Sequence, residues 1–230
     1  MARYYHPSVM VILALDTTGP AGSTALMRGA QVVEVRAGDA ARPQAERLPA
    51  ELMALLDRHG IELPDVDVYA VATGPGSFTG LRIGIATMQG LALAHDKPLI
   101  GISGLDALAW IARTHHVARV ATWVDAWRGE VYAALYENGA EIMPPTVDAP
   151  AHLLRDLGDA TLFVGDGAAA YARLITTAGG RTADPVAPPI AGAVAILAAR
   201  EAEAGHCPPP HAIRPLYVRR PDAEMAREPR

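Results

Sequence analysis

The chain has 230 residues, half of them hydrophobic, with 20 basic against 25 acidic side chains for a net charge of −5. A chain of this length buries roughly 70% or more of its unfolded surface, and one-fifth charged residues sets it apart from disordered sequences. No apolar run reaches the roughly 20 residues of a membrane helix, and MARYYHPS lacks the basic, apolar and cleavage regions of a signal peptide. The expectation is a cytoplasmic protein with no membrane partner, of one large domain or two small ones. Lys97, in HDKP, is the only lysine, which excludes a GxxxxGK[ST] phosphate loop and a Schiff-base lysine elsewhere. Cys207 is the only cysteine, which excludes an internal disulfide, a CxxC pair and a thiolate zinc cage.

In chain order, VMVILALD is a continuous apolar run of the kind that forms a central buried strand. TTGPAG is a turn, and STALMRG and QVVEVRAG complete a meander of three strands. QAERLPAELMALLDRHG sets Leu48, Leu52, Leu55 and Leu56 on one helical stripe and stops at Gly60. Pro49 fits this helix if it begins only a few residues earlier. DVDVYAVA is another buried strand, GPGS a turn, and FTGLRIGIATMQGLALAH a helix with little polar surface. KPLIGIS and GLDALAWIARTHH add a strand and a helix.

The order then starts again. ARVATWVDAWRGEVYAALYENG repeats a strand ending in aspartate, a small turn and a second strand, with Asp16 on Asp125, Leu15 on Val124 and Ala25-Leu26 on Ala134-Leu135 in a gapless alignment. TLFVGDGAAAYARLI repeats the strand, Gly-x-Gly turn and helix of VYAVATGPGSFTGLRIG. Two related α/β halves are expected, divided near Ser103 to Ala118. They run from 1 to 104 and, smaller and richer in proline, from 105 to 218, with a flexible Arg-rich tail over 219–230.

Chemistry is sparse. Asp16 and Thr17 at a strand end and Gly74, Gly76 and Ser77 at a helix start form either a phosphate-holding pair of turns or purely structural ones. Gly80 and Gly84 lie four apart inside a helix, which costs roughly 1 kcal/mol each unless another backbone approaches there. His115 and His116 diverge by about 100° on a helix, and His6, His59, His95, His152, His206 and His211 are scattered. No metal site reads out, and no GxSxG elbow appears. Cys207, between His206 and three prolines, reads as a loop residue in preference to a nucleophile.

ILALDTT, ERLPAEL, ATGPGSFTGLRIGIATMQGLA, LIGISGLDALA and VDAWRGEVYAALY, in that order and spacing, resemble the TsaB (YeaZ) family from about Val11 to about Tyr136, with PLYVR as a shorter late match. The resemblance implies a duplicated actin-like ATPase/sugar-kinase fold, class α/β. It also implies a noncatalytic role in making N6-threonylcarbamoyladenosine in tRNAs that read codons starting with A. The expected partners are a TsaD-like paralogue, which transfers the group, and a TsaE-like ATPase; tRNA is met only through the complex, and ATP or ADP only in the assembled complex. The catalytic paralogue carries an HxxxH metal motif, whereas no histidine stands between Gly38 and Asp57 here.

The same resemblance implies that two helices meet the partner, through Glu46, Arg47, Leu48, Glu51, Leu52 and Leu55 on the first and Leu81, Arg82, Ile85, Met88 and Gln89 on the second. Leu52→Glu is expected to break that joint and leave the chain folded. Without its partner, the chain is expected to pair with its own copy. The competing reading is an autonomous phosphotransferase of the same fold that uses Asp16, Asp125 and the two glycine turns.

Overall fold

In the computed structural model, the residues described are 9–219 except 156, 158 and 159. His6, Arg220, Arg227, Arg230 and the rest of the expected tail lie outside them. Among the described residues two compact units are present: 9–73, Ser77–Ile102 and Pro189–Arg214 form the first, and Gly74–Gly76, Ser103–Pro188 and 215–219 form the second.

In the first unit β1 (Val11–Asp16) is buried along its whole length, as its unbroken apolar run requires. It pairs antiparallel with β2 (Ser23–Arg28) and parallel with β4 (Val68–Gly74). β3 (Gln31–Ala37) and β5 (Leu99–Ser103) are the edges, giving the order β3-β2-β1-β4-β5. Side chains alternate across the sheet. Leu13, Leu15, Leu26, Tyr69 and Val71 join Leu48, Leu52, Leu55 and Leu56 of α1 (Gln44–Arg58) and Ile85 and Met88 of α2 (Phe78–Ala94) in one core. Pro49, well inside α1, removes a single backbone bond, the one to the carbonyl of exposed Ala45.

The opposite face carries Ile12, Ala14, Ala25 and Ala70. Its small residues admit a close-packed helix, α7 (Ala191–Glu203), which lies on β1, β2 and β3 with Ala191, Val194, Ala195 and Ala198 buried. A Cβ on Gly192 would press on Val35. This helix has no counterpart among the sequence expectations, and it corrects the domain boundary. The second half does not run from 105 to 218; Pro189–Arg214 returns to the first unit.

The second unit repeats the plan: β6 (Arg119–Asp125), β7 (Val131–Glu137), β8 (Ala140–Asp148), β9 (Leu162–Val164) and β10 (Arg181–Thr182) stand in the order β8-β7-β6-β9-β10. α3 (Gly104–Ala112) packs on β6, β7 and β9. Trp123, Phe163, Ala168 and Ile175 fill a separate core, with α4 (Pro150–Leu153), α5 (Asp166–Ala170) and α6 (Ala172–Thr177) between or after the strands. The duplicated α/β fold is therefore present. Asp16 and Asp125 close the corresponding strands, but the gapless alignment slips by one residue in the second strand. Ala25 faces Ala14, whereas Ala134 faces Thr122, because loop 126–130 is one residue shorter than loop 17–22. No described helix is long and apolar enough to cross a membrane.

Candidate functional site

The turn after β1 is held from three sides. Asp16 is 6% exposed; its Oδ1 accepts from Thr18 N at 2.9 Å and from Thr18 Oγ1 at 2.7 Å, and its Oδ2 from Ser23 Oγ at 3.4 Å. Ser23 Oγ in turn accepts from Ala191 N, 3.1 Å away at the first residue of α7. A carboxylate with these internal donors shapes a turn. From α1, Gln44 Nε2 donates to the carbonyl of Gly19 at 2.8 Å. Arg47, 2% exposed, donates through Nη2 to the carbonyls of Pro20 and Ala21 and through Nη1 to Glu51 at 2.6 Å.

From α2 the contact is steric. A Cβ on Gly80 would overlap the carbonyl of Thr17, and one on Gly84 would overlap the Thr17 hydroxyl. The pair of helical glycines thus admits this loop, Gly80 the Thr17 backbone and Gly84 the Thr17 side chain, and not the sheet or neighbouring helix expected there. Ser77 ties the two turns together: its N–H donates to the carbonyl of Thr18 at 2.8 Å, while its Oγ caps α2 by accepting from Gly80 N at 3.2 Å. Asp16, Thr17 and Ser77 are therefore brought together, with Gly74 in the left-handed region (φ 110°) turning the chain into α2. Gln44 was not among the expected site residues; its signal was a polar side chain in the first turn of a helix, which many sequences share.

In the second unit Asp166 Oδ1 accepts from the backbone N–H groups of Asp125 (3.0 Å) and Gly167 (2.8 Å), and Asp125 Oδ1 accepts from Trp127 N at 3.0 Å. Although Asp166 is exposed at its surface, the protein around its carboxyl desolvates it and raises it above its ordinary range, with the amide bonds opposing. Each of these two aspartates commits its Oδ1 to turn amides.

The expected partner face needs correction. Leu48, Leu52 and Leu55 on α1, and Leu81, Ile85 and Met88 on α2, are each at most 5% exposed. They belong to the chain's own interior. Arg47 anchors the loop from inside. Gln89 is half-buried, and its Nε2 donates to the carbonyls of Pro210 (2.9 Å) and Ile213 (3.2 Å), pinning the chain's own late segment. Of the expected residues Glu46 and Arg82 face solvent and Glu51 is half-exposed. The apolar groups that α1 and α2 do expose are others: Ala50, Met53 (42%) and Ala54 on α1, and Phe78 (46%), Ala86, Gly90 and Leu93 (61%) on α2. The Leu stripe that the resemblance implied as the partner face covers the chain's own sheet; the outward side, with Ala, Met and Gly, has no stripe strong enough to stand out. Arg82 stacks over the Phe78 ring at 3.7 Å.

One further expectation changes. Arg219 opens the expected flexible tail, yet its Nη1 donates to the carbonyl of Ala126 at 3.1 Å and its Nη2 pairs with Glu130. Cys207 is exposed, and its neighbour His206 holds Nδ1 2.9 Å from Glu201 Oε2.

Against this geometry stand the comparisons with known proteins. The family model described as TsaD: tRNA N6-adenosine threonylcarbamoyltransferase matches residues 35–227. The tRNA threonylcarbamoyladenosine biosynthesis protein TsaB of Haemophilus influenzae is 32% identical over 224 residues, covering 91% of this chain and 94% of its own. TsaB of Escherichia coli is 41% identical over 134 residues, or 56% and 58% of the two chains. The solved structure of YeaZ from Pseudomonas aeruginosa superposes with a TM-score of 0.76 at 30% identity, over 90% of this chain and 99% of that one.

Proposed function

Because the chain belongs to the TsaB (YeaZ) family, we propose that it is the noncatalytic subunit that binds and activates a TsaD-like transferase, through the outward sides of α1 and α2. Its role lies in tRNA threonylcarbamoyladenosine biosynthesis. The observation that carries the finer reading is the character of those outward sides. Met53, Phe78 and Leu93 stand exposed among Ala50, Ala54, Ala86 and Gly90, a small-residue apolar surface on two helices that already pack on one another. Small residues let another pair of helices approach closely, and burying Met, Phe and Leu supplies the gain, on the order of 1.5–3 kcal/mol for each side chain fully covered. A TsaE-like ATPase joins the same assembly, tRNA is reached through it, and without the transferase the face pairs with its own copy.

Asp16, Ser77, Asp125 and Asp166 support the noncatalytic reading, since each commits at least one side-chain oxygen to a turn or a cap. The experiment is sedimentation of the purified chain with the TsaD-like protein of the same organism, with ATP turnover of the isolated chain measured alongside. A stoichiometric complex that Met53→Glu and Ala86→Glu weaken at least about tenfold, with no turnover by the chain alone, is expected. No complex, together with turnover that depends on Asp16 and Asp125, would establish the autonomous phosphotransferase instead.

A further inference from the structure

Beside β3 and α1 the first unit holds an open cleft of about 380 Å³, near the lower end of the range for small-ligand sites. Its lining combines four arginines, Arg36, Arg42, Arg47 and Arg58, with two carboxylates, Asp39 and Glu51. In a chain with a net charge of −5, this is a local reversal of sign.

The carboxylates of the cleft are already engaged. Glu51 is neutralised by Arg47 at 2.6 Å, and Asp39 Oδ1 accepts from the backbone N–H of Ala41 at 2.9 Å. Arg58 is shared with Glu34, at 2.9 Å. Arg36 has only a 3.7 Å contact with the same Glu34, and its side chain is 57% exposed. Arg42 has no carboxylate within ion-pair distance among the described residues. Arg47 is a fixed part of the wall: it is 2% exposed, its Nη atoms are committed to Glu51 and to the carbonyls of Pro20 and Ala21, and its Nε is buried. It holds its place because Gly38 has no side chain; a Cβ there would overlap the Arg47 guanidinium. The uncommitted guanidinium donors of Arg42 and Arg36 on the rim match the oxygens of a phosphate group, which planar arginine forks bind in pairs.

We infer that this cleft binds a small phosphate-bearing anion, and that Arg42 and Arg36 are its principal contacts. The site is separate from the glycine turns, and it needs no partner chain. Inorganic pyrophosphate and ADP, titrated separately into the isolated chain by calorimetry at low salt, test it. Binding of both with equal affinity supports the proposal with the bare phosphate group as the ligand; tighter binding of ADP supports it with a nucleotide as the source. In either case Arg42→Ala and Arg36→Ala, both exposed and harmless to the fold, should each weaken binding about tenfold, and added salt should weaken it further. Absence of heat from both ligands up to about 10 mM, or an Arg42→Ala chain that binds as the parent does, would overturn it. Ala50 and Ala54 line both this cleft and the proposed docking face, so anion binding is read on the isolated chain and complex formation in a separate experiment, which keeps failure of one proposal distinguishable from failure of the other.

Discussion

Gly84 and Gly90 lie six residues apart in α2 and carry opposite predictions. Alanine in a helix interior gains about 1 kcal/mol over glycine. At Gly90 nothing lies within 4 Å of the added methyl, so Gly90→Ala should raise the isolated chain's stability by about 0.5–1 kcal/mol, seen as a higher melting temperature. At Gly84 the methyl meets the buried Thr17 hydroxyl, in a loop held by Gln44, Arg47 and Asp16. Overpacking there costs about 1–3 kcal/mol and outweighs the propensity gain, so Gly84→Ala should melt lower. Glu34 joins β3 to the end of α1: Arg58 Nη2 and Nε donate to it at 2.9 and 3.3 Å, and His59 Nε2 lies 2.7 Å away. Arg58 first, then His59, holds the Glu34 carboxyl below its ordinary 4.5. A carboxylate lowered on folding contributes stability that is complete above 4.5 and is lost as pH falls through the folded value. Glu34→Gln should therefore lower stability at neutral pH and flatten its decline below about pH 4.5, as measured by denaturant melts across pH 3–7.

At the scale of an element, α1 shows how narrowly a helix separates fold from surface. Leu52 is 2% exposed and Met53, the next residue, is 42% exposed. Leu52→Glu buries an unpaired charge in the core shared with β1, β4 and α2, so it should unfold the chain, and any loss of complex would follow from that. Met53→Glu should leave the circular dichroism spectrum and melting temperature unchanged while weakening association at least about tenfold. The expectation that Leu52→Glu spares the fold is thus reversed, and the pair separates the two effects. The stripe itself was legible: four leucines at helical spacing identify a buried side. Periodicity does not say whether a chain's own sheet or a partner covers that side. In α2, apolar on nearly every side, even the direction of burial was not readable.

At the scale of the molecule, the first sheet is completed by residues that come last. α7 covers Ile12, Ala14 and Ala25, and the segment after it supplies Ile213 to the first unit's core and carbonyls to Gln89. A chain ending at residue 104, the boundary that the repeat suggested, should not fold alone. One ending at residue 188 should lose protection of the β1 amides in hydrogen exchange. Adding 189–214 as a separate peptide should restore it. Retained protection in either shortened chain would mean that α7 is dispensable to the first unit.

The amino-acid sequence by itself determined the central strands, the meanders, the turn at Gly74, the internal repeat and the family, because each is written in a short window: an unbroken apolar run, a 3.6-residue period, a glycine where the backbone must turn. Tertiary structure alone decided the rest. Alanine-rich 191–203 has no strong stripe, and only the shallow face made by Ala14, Ala25 and Ala70 explains why it docks as a helix on the first sheet. Arg47, Gln89 and Arg219 look like surface residues in one dimension. Each satisfies carbonyls of a segment far off in sequence, a pairing that burial imposes and that no local pattern records.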